Sequence, residues 1–239
     1  MVEAVLWGLL TSGSLLVGAV VALVARPRAR VIGLTMAFGA GALMAAVAYD
    51  LVLDAFDEEV VVPAIGLAAG ALTFYVGDAA IDRAGGHGRK SALGAHQSVG
   101  SPLAIVLGAV LDGIPESVVL GASLAEGGAV SLAFVVAVLC SNLPEAISGT
   151  SGLVTAGWRP RRIVELWAIV VAVSTLSAGL GWLVFDEVAG ADAAVLLAFA
   201  AGAVLVMLAD TMMPEAFELG GRGVGLATTL GFALAFALG

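Results

Sequence analysis

Residues 102–124 read PLAIVLGAVLDGIPESVVLGASL, and residues 129–152 read AVSLAFVVAVLCSNLPEAISGTSG. Each stretch is long and apolar enough to cross a bilayer as one helix, which takes about 20 residues. Each also carries acidic residues near its middle: Asp112 and Glu116 in the first stretch, and Glu145 in the second. These two stretches therefore predict membrane-spanning helices with acidic groups close to the bilayer centre.

The composition of the whole chain agrees with a membrane protein. The 239 residues are 61% hydrophobic and 12% charged, whereas soluble domains are roughly 45–50% apolar and about 25% charged. The length leaves room for roughly eight or nine spans and excludes an additional ATPase, kinase or DNA-binding domain. The formal net charge of −9 also argues against nucleic acid as a partner. The expected environment is the lipid bilayer.

Apolar runs between charged or Gly/Pro breaks predict eight transmembrane helices. The fold class is therefore an all-α integral membrane protein, and residues 1–239 form one polytopic domain. The predicted helices cover residues 4–25, 31–53, 60–81, 102–124, 129–152, 163–184, 191–213 and 222–238.

The basic residues predict the orientation of these helices, because Lys and Arg near span ends stay on the cytoplasmic side. All 10 of them fall in alternate loops, and the intervening loops carry acids instead. This pattern predicts a multi-pass protein of the cell membrane, with the N- and C-termini both on the extracytoplasmic side. The basic residues are Arg26, Arg28, Arg30, Arg83, Arg89, Lys90, Arg159, Arg161, Arg162 and Arg222.

Two internal similarities indicate an inverted repeat, a feature of many transporters. Residues 38–56 and 199–217 align at an offset of 161, with seven identities in 19 positions. Asp112-Gly-Ile-Pro-Glu116 and Ser141-Asn-Leu-Pro-Glu145 share a second pattern. The predicted arrangement is three helices, two central helices and three helices (3+2+3), with a pseudo-twofold axis in the membrane plane.

The central acids need compensation. An acid at the centre of a membrane helix costs about 2.5–3.5 kcal/mol on insertion scales. No Lys or Arg lies within the predicted spans to neutralise it, apart from Arg222 at the first position of the eighth. Asp112 and Glu116 are four residues apart and therefore share one face of a helix, as do Ser141 and Glu145. Protonation, water or a bound cation are the remaining ways to keep such groups in a bilayer.

Two prolines favour a bound cation, over protonation or water, as the group that compensates the central acids. A proline inside a helix removes the hydrogen bond to the carbonyl four residues earlier, and freed backbone at membrane depth is tolerated where it lines a cavity. Pro115 and Pro144 each precede one of the glutamates. Carboxylates, an amide and spare carbonyls are ligands of divalent cations. The alternative is a pair of kinked helices joined by protonated acids. The predicted metal ligands are Asp112, Glu116, Glu145, Ser141 and Asn142.

Further acids lie at helix ends and predict an ion pathway or gate. Asp50 and Asp54 end the second helix on the outer side, and Asp210 and Glu215 end the seventh on the inner side. They are either solvated helix ends or acidic funnels that concentrate cations. Asp50 and Asp210 are predicted to lie deepest.

The remaining candidate ligands have plainer interpretations. His87 and His96 lie in the longest predicted loop, where they are either solvated residues or a metal-collecting pair. Cys140 is the only cysteine, and it is either a small buried hydrophobe or a soft metal ligand beside Ser141.

The central motifs resemble those of the Zrt/Irt-like (ZIP) family of divalent metal transporters. The family's fourth helix typically carries His-Asn-x-Pro-Glu-Gly, and its fifth carries His or Gln, then Asn or Asp, then x-Pro-Glu. The similar positions are residues 112–116 and 141–145, and residues 199–216 are similar to the seventh helix. The resemblance implies eight helices, uptake of a divalent metal towards the cytoplasm, often as a homodimer, and no enzymatic activity. Zn²⁺ is the favoured cargo, with Fe²⁺, Mn²⁺ or Cd²⁺ as alternatives.

The departures from the family pattern imply a different ligand set. Asp112 stands in place of a histidine, Gly113 in place of an Asn, and Ser141 in place of His or Gln. The acid that some members have in helix six is also absent near Ala178. The resemblance therefore implies one oxygen-rich site and a degraded second site, which opens the cargo to harder cations.

Three other functions remain open at this point. The first is an intramembrane hydrolase of the aspartyl type, which would use a pair of acids such as Asp112 and Glu116. A hydrolase of the metalloprotease type is not indicated, because its His-Glu-x-x-His motif is absent. A proton-coupled solute carrier could use Glu116 and Glu145 as proton sites. A metal-binding relative that does not transport is the third.

Overall fold

A computed structural model describes residues 1–57, 60–83, 102–125, 130–188 and 191–239, the side chains of residues 102–106 and 191 excepted. All regular secondary structure in this part of the chain is helical. Two of the helices continue past a π-helical turn: α2 through Val47–Val52 into Leu53–Ala55, and α7 through Leu208–Met212 into Met213–Gly220. The helices are α1 (Val2–Ala25), α2 (Ala29–Ala46), α3 (Val61–Ile81), α4 (Pro102–Ala125), α5 (Leu132–Thr155), α6 (Pro160–Asp186), α7 (Ala191–Met207) and α8 (Val224–Leu238).

Seven stretches of the described chain are long and apolar enough to cross a membrane. The predicted all-helical fold is thus confirmed, and the apolar helices are compatible with a multi-pass membrane protein, but eight crossings are not shown. The seventh stretch, Asp192–Leu238, has 47 residues and contains both α7 and α8. The predicted eighth span corresponds to α8, whose 15 residues extend about 22 Å at 1.5 Å per residue. That length is less than the bilayer core of about 30 Å.

The predicted end of the seventh helix is too early. It was placed at residues 191–213, whereas the helical chain continues to Gly220. Proline normally breaks a helix because it lacks an N–H, but Pro214 falls at the start of the α-helical segment that follows the π turn. Proline is well tolerated in a first helical turn, where its N–H would have no partner anyway.

The two π turns lie at corresponding places in the predicted repeat. Val47 begins the first π turn, and Leu208 begins the second 161 residues later. This is the offset that aligns residues 38–56 with residues 199–217. π turns occur mostly as single bulges inside α-helices and frequently at functional sites. The sequence similarity therefore extends to an uncommon feature of the backbone.

The helices pack in two groups. In the first group, α1 packs along both α5 and α6, and α4 packs along α6. In the second group, α3 packs along α7, and α8 packs along α2. Contacts of α2 with α5 and of α4 with α7 join the groups. Each group therefore combines helices from the first and second halves of the chain.

Glycines bring the helices of the second group into backbone contact, as small residues do in membrane helices. The α2–α8 contact and the α3–α7 contact use the same pattern, with every partner shifted by 161 residues. In each contact two glycines lie against backbone carbonyls of the facing helix. The pairs are Gly41 with Thr228 and Gly231 with Phe38, and then Gly202 with Leu67 and Gly70 with Phe199.

Candidate functional site

The candidate site lies where α4 and α5 carry their acidic motifs. Asp112 and Glu116 are on one face of α4, and both are buried, with 2% and 3% of their surface exposed. Glu145 of α5 is 5% exposed. Acidic residues are almost never this deeply buried unless they are paired or hydrogen-bonded. The burial predicted for these three acids from their position in the apolar runs is therefore present.

One hydrogen bond connects the two motifs directly. Ser141 of α5 has no exposed surface, and its Oγ donates to Glu116 Oε1 of α4 over 3.5 Å. The same Oγ is 3.0 Å from the Val138 carbonyl of its own helix. The structure thus brings together the serine and the glutamate that the sequence assigned to one site.

Asn142 faces a different neighbour. Its Nδ2 donates to the carbonyl of Thr11 in α1 over 3.3 Å, and the residue is 6% exposed. This bond fixes the amide so that its nitrogen points to α1. The amide oxygen is consequently the atom that remains to act as a ligand.

The two prolines lie inside unbroken helices. Pro115 is within α4 and Pro144 within α5. The carbonyl of Cys140, which has no N–H partner at Pro144, lies against Gly39 of α2. The close approach of α2 and α5 therefore takes place at the carbonyl that the proline frees.

The buried acids do not form a complete metal centre in this structure. Within the described residues, no group of three His, Cys, Asp or Glu side chains is placed so that it could hold a metal ion. The motifs instead offer two carboxylates on α4 and one on α5, with the Ser141 hydroxyl between the two helices. Chemically, they can accept protons, water or a cation that draws ligands from both helices.

The two acids at the end of α2 differ in their surroundings. Asp50 lies in the first π turn, where its Oδ2 accepts a hydrogen bond from Ser131 Oγ over 2.6 Å. It lines a cavity of about 220 Å³ together with Tyr49 and Phe236. Asp54, one turn further, is exposed. Asp50 is therefore the deeper of the two outer acids, as the sequence predicted.

For the two acids at the end of α7 the predicted order of depth is wrong. Asp210 was expected to lie deepest, but it is exposed in the second π turn. Glu215 is buried instead, with 9% of its surface exposed, and it accepts a hydrogen bond from Ser148 of α5. Asp210 lies within the π turn, whereas Glu215 follows it and faces Ser148 of α5.

A hydroxyl pattern in α1 and α6 was missed by the sequence reasoning. Thr11-Ser12-x-Ser14 in α1 is matched 163 residues later by Ser174-Thr175-x-Ser177 in α6. The two segments meet, since Ser12 Oγ and Thr175 Oγ1 are 3.3 Å apart. The signal was the order of hydroxyl residues in two otherwise apolar helices.

The two histidines, His87 and His96, lie outside the described residues. Cys140 is half-buried. Comparisons with known proteins assign no relatives: no protein-family model matches the chain, and no curated protein sequence matches it.

Proposed function

We propose that this chain is a membrane carrier of divalent metal cations, with its ion site between α4 and α5. The observation that carries the proposal is the burial of Asp112, Glu116 and Glu145 beside the Ser141–Glu116 hydrogen bond. Three carboxyl groups in an apolar helix bundle are costly, and the chain has no Lys or Arg from residue 91 to 158. A divalent cation would compensate two carboxylates at once.

The ligand chemistry favours a first-row metal that accepts oxygen donors. Asp112, Glu116 and Glu145 supply carboxylates, Ser141 a hydroxyl and Asn142 an amide oxygen. Carboxylate and carbonyl ligands suit Mn²⁺, and zinc also takes Asp and Glu oxygen. Binding in this proposal draws the acids of α4 and α5 together, since they do not form a three-acid cluster beforehand. The cargo is therefore zinc or a related metal such as iron or manganese.

We further propose that the chain is a divergent member of the ZIP family. The motifs at residues 112–116 and 141–145 support this assignment, because both Pro-Glu pairs lie inside helices and both glutamates are buried. The departures at Asp112, Gly113 and Ser141 set it apart from the usual family pattern. An integral membrane carrier of this type has no enzymatic activity.

The proposed architecture is the 3+2+3 inverted repeat. Three observations support it: the π turns 161 residues apart, the matching glycine contacts of α2–α8 and α3–α7, and the hydroxyl pattern of α1 and α6. The contact of Ser12 with Thr175 joins positions that are equivalent in the α1/α6 alignment. The pseudo-twofold axis of the proposed repeat therefore passes between these two hydroxyls.

The packing suggests how a carrier of this kind would move. The ion site belongs to the group formed by α1, α4, α5 and α6, and the second group is joined to it through α2–α5 and α4–α7. We propose that the site-bearing group shifts against the other group during transport. Both termini lie outside the cell membrane in this proposal, so the cation moves from the Asp50 and Asp54 side towards Asp210 and Glu215.

The test is metal uptake by the purified protein in proteoliposomes. Glu116→Gln and Glu145→Gln keep the shape of the side chain and remove its charge. We expect each variant to lower the initial rate of Zn²⁺ or Mn²⁺ uptake at least tenfold, because the cation loses a charged ligand. Initial rates are measured with a fluorescent metal indicator inside the vesicles.

Glu165→Gln is the matched control. Glu165 is an exposed glutamate near the start of α6, and its Oε1 lies 2.9 Å from Arg161 Nε. Its neutralisation should leave uptake unchanged. Unchanged uptake in Glu116→Gln and Glu145→Gln would contradict the proposal. Solute uptake that needs protons but no metal would favour the proton-coupled alternative, and binding without uptake would favour a non-transporting relative.

A further inference from the structure

The cavity beside Asp50 lies between three helix ends: the first π turn of α2, the start of α5 and the end of α8. Five of its eight lining residues are alanine or glycine, and such small side chains leave a space that larger ones would fill. Its volume of about 220 Å³ is below the roughly 300–1,000 Å³ of most ligand pockets. The cavity therefore suits a small ligand.

One carboxylate gives this cavity its charge. Asp50 is held in place through Oδ2, which accepts the hydrogen bond from Ser131 Oγ over 2.6 Å. The other oxygen, Oδ1, would lie 3.8 Å from a Cβ on Gly239, which also lines the cavity. None of the eight described lining residues is basic. A ligand with a positive charge is therefore favoured.

Two aromatic rings complete the lining beside the carboxylate. The ring centroids of Tyr49 and Phe236 are 5.0 Å apart and their planes are inclined by 54°. Both residues are partly accessible from outside the helix bundle, with 43% and 58% of their surface exposed. Aromatic faces carry partial negative charge and attract cations, and several rings together recognise alkylated ammonium groups.

The same lining is unsuited to a metal ion. Metal ions in proteins bind to several oxygen, nitrogen or sulfur ligands. The side chains of this cavity offer one carboxylate and one phenol hydroxyl, and the remainder is alkyl or aromatic. An organic ammonium ion, which is surrounded by its own alkyl groups, is the cation that an apolar wall can contact favourably.

The second π turn does not repeat this arrangement. The positions equivalent to Tyr49 and Asp50, 161 residues later, are Asp210 and Thr211. The Thr211 hydroxyl donates to a carbonyl of its own helix, whereas Asp50 is bound from another helix. The pair of an aromatic ring and a carboxylate is thus specific to the first π turn, although π turns in general are frequent at functional sites.

We propose that this cavity binds a small organic ammonium group. Asp50 pairs with its charge, and the rings of Tyr49 and Phe236 contact its alkyl groups. The group comes either from a free organic cation or from the head group of a phospholipid. This site is separate from the α4/α5 motifs, so the inference goes beyond metal transport and does not depend on it.

The experiment is calorimetric titration of the purified full chain, in a maltoside detergent at neutral pH, with tetramethylammonium chloride. We expect saturable binding with a Kd in the millimolar range, because so small a ligand offers few contact atoms. Potassium chloride at the same concentrations should give no saturable binding. Asp50→Asn should raise the Kd for tetramethylammonium about tenfold or more, because it removes the opposite charge.

Substitutions of the rings separate their faces from their bulk. Tyr49→Leu and Phe236→Leu keep an apolar side chain and should each raise the Kd by about two- to fivefold, the contribution of a cation–π contact at an exposed site. Tyr49→Phe keeps the ring and should retain the affinity. The matched controls are Tyr75→Leu, at the exposed position of α3 that corresponds to Phe236, and Asp192→Asn, at an exposed acid near the start of α7. Neither residue lines the cavity, and neither substitution should change the Kd.

A competition experiment identifies the source of the ammonium group. Displacement of tetramethylammonium by dihexanoylphosphatidylcholine, but not by dihexanoylphosphatidylglycerol, would identify a phospholipid head group, and displacement by neither would identify a free cation. Equal displacement by both lipids would mean that acyl chains fill the cavity, which overturns the inference. Absence of saturable tetramethylammonium binding, or an unchanged Kd in both Tyr49→Leu and Phe236→Leu, would overturn it as well. Metal uptake is not measured in any of these titrations, so the proposed function would stand in each case.

Discussion

The end of α2 and the end of α7 are related in sequence but differ in burial. Both pass through a π turn at matching positions and then reach an acid at matching positions, Asp54 and Glu215. Asp54 is exposed, whereas Glu215 is buried against Ser148 of α5. The same local backbone is thus placed in two different environments, and the difference arises from what each end packs against.

The facing helices explain the difference. In the alignment of the two Pro-Glu motifs, Ser148 of α5 corresponds to Val119 of α4, which is apolar and 2% exposed. The hydroxyl that holds Glu215 thus has an apolar residue at its equivalent position in α4, and the hydroxyl at the α2 end, Ser131, binds Asp50 and not Asp54.

The largest expected effect is a loss of stability at the α2–α8 and α3–α7 glycine contacts, which follow the same pattern. Gly70→Ala and Gly231→Ala each place a Cβ against a backbone carbonyl, of Phe199 and Phe38 respectively. Because a backbone carbonyl cannot turn aside, each substitution should cost about 3 kcal/mol, the upper end of the range for overpacking. The midpoint of thermal unfolding in detergent should fall by about 6–12 °C, at 2–4 °C per kcal/mol for a chain of this size.

Gly13→Ala is the control for these substitutions. Gly13 is also inside a helix, but a Cβ there would have no atom within 4 Å. It should leave the unfolding temperature unchanged or raise it, since alanine favours the helix by about 1 kcal/mol over glycine. A large loss for Gly70→Ala alone would show that the α2–α8 and α3–α7 contacts are not equivalent in energy.

The next largest effect on stability concerns the acids after the two π turns, where the end of α7 differs from the end of α2. Glu215→Ala removes the acceptor of the buried Ser148 hydroxyl and should lower the free energy of unfolding by about 2 kcal/mol. Asp54→Ala is exposed and should change it by less than about 0.5 kcal/mol. Thermal unfolding of both variants measures the difference.

A double-mutant cycle with Ser148→Ala assigns the loss to the contact. Residues in direct contact couple by about 0.5–3 kcal/mol. If the losses from Glu215→Ala and Ser148→Ala were simply additive, or if Asp54→Ala were as destabilising as Glu215→Ala, the two ends would not differ in the way described.

Much of the fold and part of the site could be predicted from sequence. The apolar runs predicted the helices because bilayer thickness sets their length. Spacing of four residues predicted the shared faces of Asp112 with Glu116 and of Ser141 with Glu145, because helix geometry alone determines them. The Glu116–Ser141 contact then follows if α4 and α5 meet at their prolines.

The features that were missed depend on hydrogen-bond register and on partners distant in sequence. A π turn changes register without an obvious residue signature, so the exposure of Asp210 and the burial of Glu215 could not be derived from helical periodicity. The cavity beside Asp50 likewise combines residues that are far apart in sequence, such as Asp50 and Phe236. The hydroxyl pattern of α1 and α6 was visible in the sequence, but two short runs of Ser and Thr carry little weight without the contact of Ser12 with Thr175.

The smallest expected effect on stability concerns the side chains that bond to the two π turns. Ser131 Oγ donates to Asp50 in the first π turn, and it also accepts from the Phe134 N–H as the N-cap of α5, over 3.2 Å. The residue that corresponds to Asp50 in the second π turn is Thr211, whose hydroxyl donates to the Met207 carbonyl of its own helix. Ser131→Ala should therefore cost about 1 kcal/mol, the usual loss for an N-cap, and Thr211→Val less than about 0.5 kcal/mol. Equal losses in thermal unfolding would mean that Ser131 contributes no more at the π turn of α2 than Thr211 does at the π turn of α7. A larger loss for Ser131→Ala would agree with a hydroxyl that caps α5 and joins it to α2 through Asp50, whereas the Thr211 hydroxyl bonds to a carbonyl of its own helix.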